Sequence, residues 1–327
     1  MNLNYSSFFK IESVEEFEKI ALEVFKFQSG HSPVYHRFVK LLKINPSKVH
    51  SISQIPFLPI TFFKTEKIIR SSQSEEIVFT SSGTTGTEQS RHFVSDTKLY
   101  TDSFRYGFNY FYGSPSNYTF LALLPGYLER SGSSLIFMMN ELVRLSGKSE
   151  SGFYLKDLNK LAKTIQELET KKRKTILVGV SFALLDFIEK YQMNLEHTIV
   201  METGGMKGKR KELVREELHD LLKKGFGINR IHSEYGMTEL LSQAYSKGEG
   251  RFFCPPWMKV TIRDTEDPLS LLPNGKSGGI NVIDLANLNS CSFIATQDLG
   301  KIYEDGSFEV LGRFDHSDIR GCNLMVL

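Results

Sequence analysis

The amino-acid sequence predicts a doubly wound α/β fold with mostly parallel strands, followed by a small antiparallel β subdomain. The first observation is that β-rich apolar runs alternate with helical segments between residues 77 and 224. The second is that polar or glycine-rich loops follow these runs, where ligands of open α/β sheets bind. The third is that beyond Pro255 the chain changes to short alternating segments with Asn-Gly and Asp-Gly turns.

Composition is typical of a soluble globular protein. Of 327 residues, 40% are apolar and 24% are charged, and the formal net charge is only +2. Such a balanced charge does not favour nucleic acid or an anionic membrane as a partner. The three cysteines form no CxxC pair, which favours reduced thiols. Because no apolar stretch is long enough to span a bilayer and the start lacks the features of a signal peptide, we expect a cytoplasmic protein.

The amino-terminal part is predicted to be helical. Apolar residues recur at helical spacing over residues 14–43, with breaks at Ser29-Gly30 and at Ser32-Pro33. The run 52–63 contains two prolines, which favours an extended, buried crossing over a helix. It leads to a first strand at residues 77–79.

From this strand onward, predicted strands and helices alternate. Asp96 is the predicted N-cap of a helix that ends near Phe111. The run 118–124 is β-rich and apolar and ends at Pro125-Gly126, as expected for an interior parallel strand. The pattern then repeats, with predicted helices at 133–145, 155–168, 182–191 and 209–224 and predicted strands at 175–180 and 198–201.

The carboxyl-terminal part is predicted to be an antiparallel sheet or a small barrel. The short strands are expected at 259–263, 279–283, 292–295 and 308–311. We place the domain boundary near Trp257. Residues 1–256 would then form an α/β core with its amino-terminal helical segment, and residues 257–327 the β subdomain.

Four polar motifs follow predicted strands in a fixed order. The first is the loop Ser81 to Thr87, whose glycines, hydroxyls and backbone N–H groups can converge on a polyphosphate. It is not a Walker A loop, because no Gly-Lys-Ser/Thr follows at the required spacing. Taken alone, it could equally be a polar surface turn. The other motifs are Glu202–Lys207, Ser233–Glu239, and the pair of segments 296–300 and 312–321.

The order of these motifs resembles that of the adenylate-forming superfamily, which includes acyl-CoA synthetases, luciferases and peptide-synthetase adenylation domains. The resemblance extends from about Ile77 to the carboxyl terminus. Within that superfamily, the short chain, the segment Tyr127–Arg130 and the terminus Asp318–Leu324 are most similar to the LuxE-type acyl-protein synthetases. The resemblance implies the fold of the adenylate-forming amino-terminal domain. It also implies an acyl-protein ligase that uses ATP and Mg²⁺ to convert a fatty acid into an acyl-adenylate for a reductase.

The resemblance implies roles for the residues around the phosphates. Thr238 would contact the α-phosphate, and Glu239 would hold Mg²⁺, which prefers carboxylate and phosphate oxygens. In-line attack by the acid needs positioning and charge neutralisation rather than a general base, and His232 is more simply a structural residue. The β- and γ-phosphates would be held by Ser81, Ser82, Gly83, Thr84, Thr85 and Gly86.

It also implies roles for the residues around the nucleoside. Tyr235 would stack on adenine, beside the backbone of Gly204 and Gly205. Asp298 would accept the ribose hydroxyls, and Arg313 would support the nucleotide from the last turn.

The sequence departs from the superfamily pattern in two places. The phosphate loop lacks the usual Pro-Lys ending, and Arg91 is the nearest cation in its place. The sequence also ends soon after Gly312–Asp315, so we expect the carboxyl-terminal lid and its catalytic lysine to be absent. By its resemblance to the acylated cysteine of LuxE-type enzymes, Cys322 is the candidate acyl acceptor, since a thiolate is a strong nucleophile. Burial among its apolar neighbours would instead make it structural.

Three functions remain compatible with the sequence. The first is ATP-dependent activation of a fatty acid, with transfer to Cys322 or to a partner protein, either a reductase or an acyl carrier protein. The second is a ligase for an aryl or short acid acting on coenzyme A or a carrier protein. The third is a non-catalytic nucleotide-binding subunit. A fatty acid is suggested by apolar residues that could line a channel or equally form core: Leu135, Ile136, Phe137, Met138, Met139, Val180, Phe182 and Leu185.

Overall fold

The computed structural model describes residues 5–81, 88–124, 132–155, 157–204 and 213–313. The chain divides into two compact units. Unit 1 contains the described residues up to Glu75 and those from Pro256 onward, and unit 2 is Glu76–Pro255. No helix within the described residues combines the length and the apolar character that a membrane crossing requires.

The amino-terminal part of unit 1 contains the helices α1 (Val14–His31) and α2 (Pro33–Leu41), the short strand β1 (Leu58–Pro59) and the single-turn helix α3 (Phe62–Thr65). Helix α1 begins at Ser13, whose hydroxyl accepts a hydrogen bond from the backbone N–H of Glu16. The break between α1 and α2 falls at Ser32-Pro33, because proline lacks an N–H and suits the first position of a helix. The predicted helical segment and its break at Ser32-Pro33 are therefore present, whereas the predicted break at Ser29-Gly30 is absent because α1 continues to His31.

Unit 2 opens with a hairpin of β2 (Ile77–Thr80) and β3 (Arg91–Val94), which pair antiparallel. Helix α4 begins at Asp96, which accepts a hydrogen bond from the N–H of Leu99, as predicted. The elements that follow the hairpin are α4 (Thr97–Tyr112), β4 (Thr119–Leu123), α5 (Ser134–Ser146), β5 (Gly152–Phe153), α6 (Leu158–Thr170), β6 (Thr175–Gly179), α7 (Ser181–Lys190), β7 (Thr198–Glu202), α8 (Arg215–Phe226), β8 (His232–Tyr235), β9 (Ala244–Ser246) and β10 (Phe252–Phe253).

The main sheet of unit 2 has a doubly wound topology. Strands β5, β4, β6, β7 and β8 lie side by side in that order and run parallel, and β9 and β10 extend the sheet antiparallel. The chain passes from β4 outward to β5 and then returns across β4 to β6, so the strand order reverses between β4 and β6. Ligands of such sheets bind beyond the carboxyl ends of the strands. Strands β4 and β6 are buried along their whole length, which explains why their sequences are apolar after the first threonine.

The carboxyl-terminal part of unit 1 is an antiparallel sheet, as predicted. It consists of β11 (Met258–Arg263), β12 (Ser277–Asp284), β13 (Phe293–Ile302) and β14 (Phe308–Arg313), paired in chain order. The Asn-Gly and Asp-Gly turns use the left-handed conformation that glycine adopts readily, with φ of 84° at Gly275 and 78° at Gly306. Strand β1 pairs with β13 in parallel.

The amino-terminal segment packs in unit 1 rather than with the α/β core, which differs from the predicted division into residues 1–256 and 257–327. The side chain of Gln28 is buried, and its Nε2 donates to the carbonyl oxygens of Asn287 and Leu288, each at 2.9 Å. Its Oε1 accepts from the N–H of Ser292 at 2.9 Å. The ring of Phe293 packs against three other aromatic rings, those of Phe25, Tyr35 and Phe57. These long-range contacts leave no signal in local sequence patterns.

We predict that Gln28→Leu destabilises unit 1 by roughly 3 kcal/mol, because two carbonyl groups and one N–H would lose their buried partner. The measurement is urea denaturation followed by the fluorescence of Trp257, the single tryptophan of the chain, which lies in unit 1. The matched control is Gln166→Leu at an exposed position of α6, where we expect a change within about 0.5 kcal/mol. Equal unfolding midpoints for the two variants would contradict the stabilising role of the Gln28 hydrogen bonds.

Candidate active site

The predicted phosphate loop is held at its base by the β2–β3 hairpin. The N–H of Ser81 donates to the carbonyl of Ser90 at 3.0 Å, and the N–H of Ser90 donates to the hydroxyl of Ser81 at 3.0 Å. This reciprocal pair closes the loop. The other predicted loop residues lie outside the described residues: Ser82, Gly83, Thr84, Thr85 and Gly86. Their contact with phosphate stays a prediction.

A glycine fastens the same hairpin to the segment before α5. The N–H of Thr80 donates to the carbonyl of Gly132 at 2.8 Å. Gly132 has a φ of +88°, and a Cβ at this position would lie 3.0 Å from the carbonyl oxygen of Val78. Because both the conformation and the space exclude a side chain, glycine is required here.

His92 of β3 connects the hairpin to the third motif. Its imidazole is fully buried, and Nδ1 lies 2.9 Å from the carbonyl oxygen of Thr238, so the tautomer that fits has Nδ1–H as the donor. Burial lowers the pKa of His92 to about 4, although the hydrogen bond to Thr238 acts in the opposite direction. The ring is therefore neutral near pH 7 and acts as a fixed link. Arg91 beside it is exposed and lies over the ring of Phe93, at 5.7 Å.

The third motif places its aromatic, hydroxyl and carboxylate residues at the carboxyl end of β8. Tyr235 is buried, and its ring packs edge-on against Phe252 at 5.9 Å between centroids. Thr238 is half-buried, and Glu239 is only 5% exposed. The turn is closed by a hydrogen bond from the N–H of Leu240 to the carbonyl of Met237.

Glu202 is the hub of a buried polar network at the carboxyl end of β7. Its Oε1 accepts from Nη1 of Arg215 at 2.5 Å and lies 3.5 Å from Nε2 of His219. Its Oε2 accepts from the N–H of Gly204 at 2.6 Å and from the hydroxyl of Ser181 at 3.3 Å. Burial alone would raise the pKa of Glu202, but His219, Arg215 and the Gly204 N–H together lower it to about 2. The carboxylate is therefore ionised.

Gly204, the first glycine of the second motif, is held in place by this network. It has a φ of +73°, and its carbonyl accepts from the N–H of Ser181 at 2.9 Å. Arg215 also reaches the third motif, because its guanidinium lies over the ring of Phe252 at 5.0 Å. Phe252 in turn contacts Tyr235. Gly205 lies outside the described residues.

Unit 1 brings two other predicted nucleotide residues together. Asp298 and Arg313 face each other across β13 and β14, with Nε of Arg313 3.0 Å from Oδ1 of Asp298. The carboxylate is nearly buried, whereas the arginine side chain is 59% exposed. Cys322 lies outside the described residues.

An apolar cavity lies in unit 2, lined by residues of strands β4 and β6–β9 and of helices α4 and α5. It encloses about 10 Å³ and is lined mainly by aromatic and aliphatic side chains, among them Met138 and Met139. The lining also includes the carboxyl group of Glu234 of β8 and the hydroxyl group of Thr203. Burial raises the pKa of Glu234 to about 8, and the negative charge of Glu202 acts in the same direction.

Two other titratable side chains, those of His232 and Cys291, are held by contacts within the fold. His232 lies 3.1 Å through Nδ1 from the hydroxyl of Tyr112, and burial together with nearby cations lowers its pKa to about 4. Cys291 is fully buried, which raises the pKa of its thiol to about 12. Near pH 7 the imidazole of His232 is therefore neutral and only weakly basic, and the thiol of Cys291 stays protonated.

Only the structure shows the surroundings of three residues: His92, Glu202 and Glu234. The sequence predicted the strand at 77–79 but not its partner at 91–94, and the alternating pattern of that partner is the signal that would have placed His92 facing inward. Glu202 and Glu234 stand inside the motifs that the sequence singled out, but nothing in their spacing indicates a buried network or a cavity.

Comparison with known proteins identifies related chains. A model of the family "Acyl-protein synthetase, LuxE" matches residues 11–327. No curated protein sequence matches significantly. Among solved structures, 2-hydroxyisobutyryl-CoA ligase with 2-HIB-AMP and CoA is 13% identical with a TM-score of 0.67, covering 94% of this chain and 72% of that one. ATP-bound MatB from Rhodopseudomonas palustris is 19% identical with a TM-score of 0.54, covering 72% of this chain and 47% of that one.

These structural similarities concern the fold. The large mostly parallel sheet with added antiparallel strands is the amino-terminal domain fold of adenylate-forming ligases, as the sequence predicted.

We predict that the stabilising effect of the Glu202 network is lost at acid pH. The pKa of Glu202 is depressed from 4.5 to about 2 in the folded chain, so its contribution is fully present above the unfolded value and is lost as pH falls toward the folded value. Glu202→Gln should lower the free energy of unfolding near neutral pH by roughly 3 kcal/mol, and this difference should shrink below about pH 4.5. The measurement is urea denaturation across this range, with Glu217→Gln at an exposed position of α8 as the control. A difference that does not vary with pH would contradict the prediction.

Proposed function

Because the chain belongs to the acyl-protein synthetase family LuxE, we propose that it activates a carboxylic acid with ATP and passes the acyl group from an acyl-adenylate to a thiol or a partner protein. The observation that carries the proposal is the hydrogen bond from His92 to the carbonyl of Thr238. It joins the hairpin that bears the phosphate loop to the turn that bears Thr238 and Glu239.

In the proposed first step, one oxygen of the substrate carboxylate attacks the α-phosphorus of ATP. The bond from this phosphorus to the bridging oxygen breaks, and pyrophosphate leaves with the electron pair. No proton transfer is needed, because the acid reacts as its carboxylate. The chain must therefore orient the two reactants and neutralise charge. We assign Thr238 to the α-phosphate and the loop 81–86 to the outer phosphates.

Mg²⁺ fits the donor set at this turn. Within the described ranges no three His, Cys, Asp or Glu side chains cluster as a metal site. Mg²⁺ bound with nucleotides commonly uses one or two carboxylates together with substrate phosphates and water, so Glu239 would suffice as the protein ligand. When bound, the ion would neutralise charge on the phosphates.

The residues that we assign to the nucleoside keep the roles that the sequence implies. In unit 2 we assign adenine to the ring of Tyr235 and to the backbone at Gly204 and Gly205. The packing of Tyr235 against Phe252 fixes the ring before a nucleotide arrives. In unit 1 we assign the ribose hydroxyls to Asp298, with Arg313 beside it.

The volume of the apolar cavity limits the size of the acid that can enter it. The cavity of about 10 Å³ has room for about one water molecule. A fatty chain would require Met138 and Met139 to move, which their flexible thioether side chains permit. We assign the acyl acceptor to Cys322 or to a partner protein, either a reductase or an acyl carrier protein.

We predict acid-dependent exchange of labelled pyrophosphate into ATP, tested with butanoate, benzoate, octanoate and tetradecanoate. Glu239→Gln should lower the exchange by about 100-fold or more, because the amide would hold Mg²⁺ less tightly and the phosphates would lose the cation that neutralises their charge. Cys322→Ser should retain it, since the thiol acts only in transfer. The exposed Glu217→Gln serves as a control. Absence of exchange with every acid would leave the non-catalytic nucleotide-binding subunit as the function.

We predict that His92→Phe lowers the exchange rate about tenfold by releasing the hairpin from the turn, since small displacements of reacting groups are costly. His92→Asn should retain most of the rate, because its amide can donate to the carbonyl of Thr238. Urea denaturation of both variants separates positioning from loss of folding. Equal rates in the two variants would rule out the positioning role.

A further inference from the structure

We propose that Glu234 binds the carboxylate of the acid substrate, donating a hydrogen bond to it from a protonated carboxyl group at the boundary between the apolar cavity and the nucleotide turn. This inference rests on the proposed function, because it assigns the acid to that site. It identifies the substrate class as an apolar acid with one carboxylate.

The first step of the argument is the position of the side chain. Glu234 lines the apolar cavity. A Cβ built on Gly236 would overlap the carboxylate oxygen Oε1 of Glu234, so this oxygen lies directly against the backbone of the turn. The carboxyl group therefore lies where the cavity meets the turn that carries Thr238.

The second step is the position that the substrate must take. Its carboxylate has to reach the α-phosphate, which we assign to Thr238, while its apolar body is removed from water most favourably in the cavity once Met138 and Met139 have moved to enlarge it. A carboxylate that meets both conditions lies beside Glu234. Thr203 lines the same cavity, and its buried hydroxyl has no hydrogen-bond partner within the described residues. It can donate to the second carboxylate oxygen.

The third step is electrostatic. Two carboxylates side by side in an apolar site cannot both be ionised without strong repulsion, so one of them retains a proton. The titratable groups that interact with Glu234 are Glu202 on β7, Tyr112 on α4 and Tyr245 on β9. The pKa values of both tyrosines are raised, chiefly by burial, so both are neutral near pH 7.

More distant charged groups do not change the protonation state that we assign to Glu234. Arg215 and His219 pair with Glu202. Lys247 lies over the ring of Tyr112 at 5.4 Å, and with Arg230 it acts on His232. Burial raises the pKa of Glu234 to about 8. The group is therefore a neutral donor near pH 7, and a bound anion would hold its proton more firmly.

The consequence is a specific pH dependence. Acid binding requires protonated Glu234, so KM for the acid should be constant well below pH 8 and rise about tenfold per unit above the pKa of the acid-free enzyme. KM for ATP should not follow this dependence. The amide of Glu234→Gln keeps a donor and does not titrate, so its KM for the acid should be low and flat through this range.

The test measures KM for octanoate by pyrophosphate exchange from pH 6.5 to pH 9.5 in the wild type, Glu234→Gln, Glu234→Leu and the exposed control Glu217→Gln. We expect the rise in the wild type and the control, a flat profile in Glu234→Gln, and a KM raised about tenfold at every pH in Glu234→Leu, which lacks the donor. The same rise in Glu234→Gln as in the wild type would overturn the inference and leave the proposed function intact.

A binding measurement separates this inference from the activity. Calorimetric titration with octanoate needs no turnover, and octanamide serves as the neutral ligand. If exchange is absent but octanoate affinity falls above pH 8 only in chains that retain Glu234, the proposed function fails and the acid site stands. If octanoate does not bind, or binds with the same pH dependence as octanamide, the acid site is overturned.

Discussion

The buried carboxylate of Glu202 is the interaction on which the candidate site of unit 2 depends. An ionised carboxylate is stable in such a place only when several donors surround it. Here they come from Arg215 and His219 of α8, Ser181 of α7 and the backbone of Gly204. One charge therefore fixes the end of β7 and the starts of two helices. Through the contact of Arg215 with Phe252, the same network supports the ring of Tyr235.

The second constraint is that a loop intended for phosphates needs a rigid base. The Ser81–Ser90 pair, the carbonyl of Gly132 and the buried imidazole of His92 fasten the hairpin on three sides. His92 can serve this purpose because burial keeps it neutral, which leaves a single donor of fixed direction. The same principle, a titratable group held neutral by its surroundings, underlies the role proposed for Glu234.

Unit 1 is built by contacts between distant parts of the chain. Strand β1 pairs with β13, and the amide of Gln28 satisfies three backbone groups between residues 287 and 292. The amino-terminal segment thereby adds a strand to the sheet that carries Asp298 and Arg313. In each unit, the residues predicted to bind nucleotide lie on elements supported by buried hydrogen bonds.

The sequence alone determined the features that depend on local patterns. The largely apolar strands β4 and β6, the N-cap of α4 and the glycine turns of the β subdomain follow from periodicity and turn chemistry. The order of the polar motifs was sufficient to indicate the family. Tertiary structure alone decided the membership of residues 5–75 in unit 1, the partner of His92 and the surroundings of Glu202 and Glu234. The physical reason is that burial and charge pairing are set by residues far apart in the chain, so the same glutamate can be a surface carboxylate, a buried anion or a neutral donor.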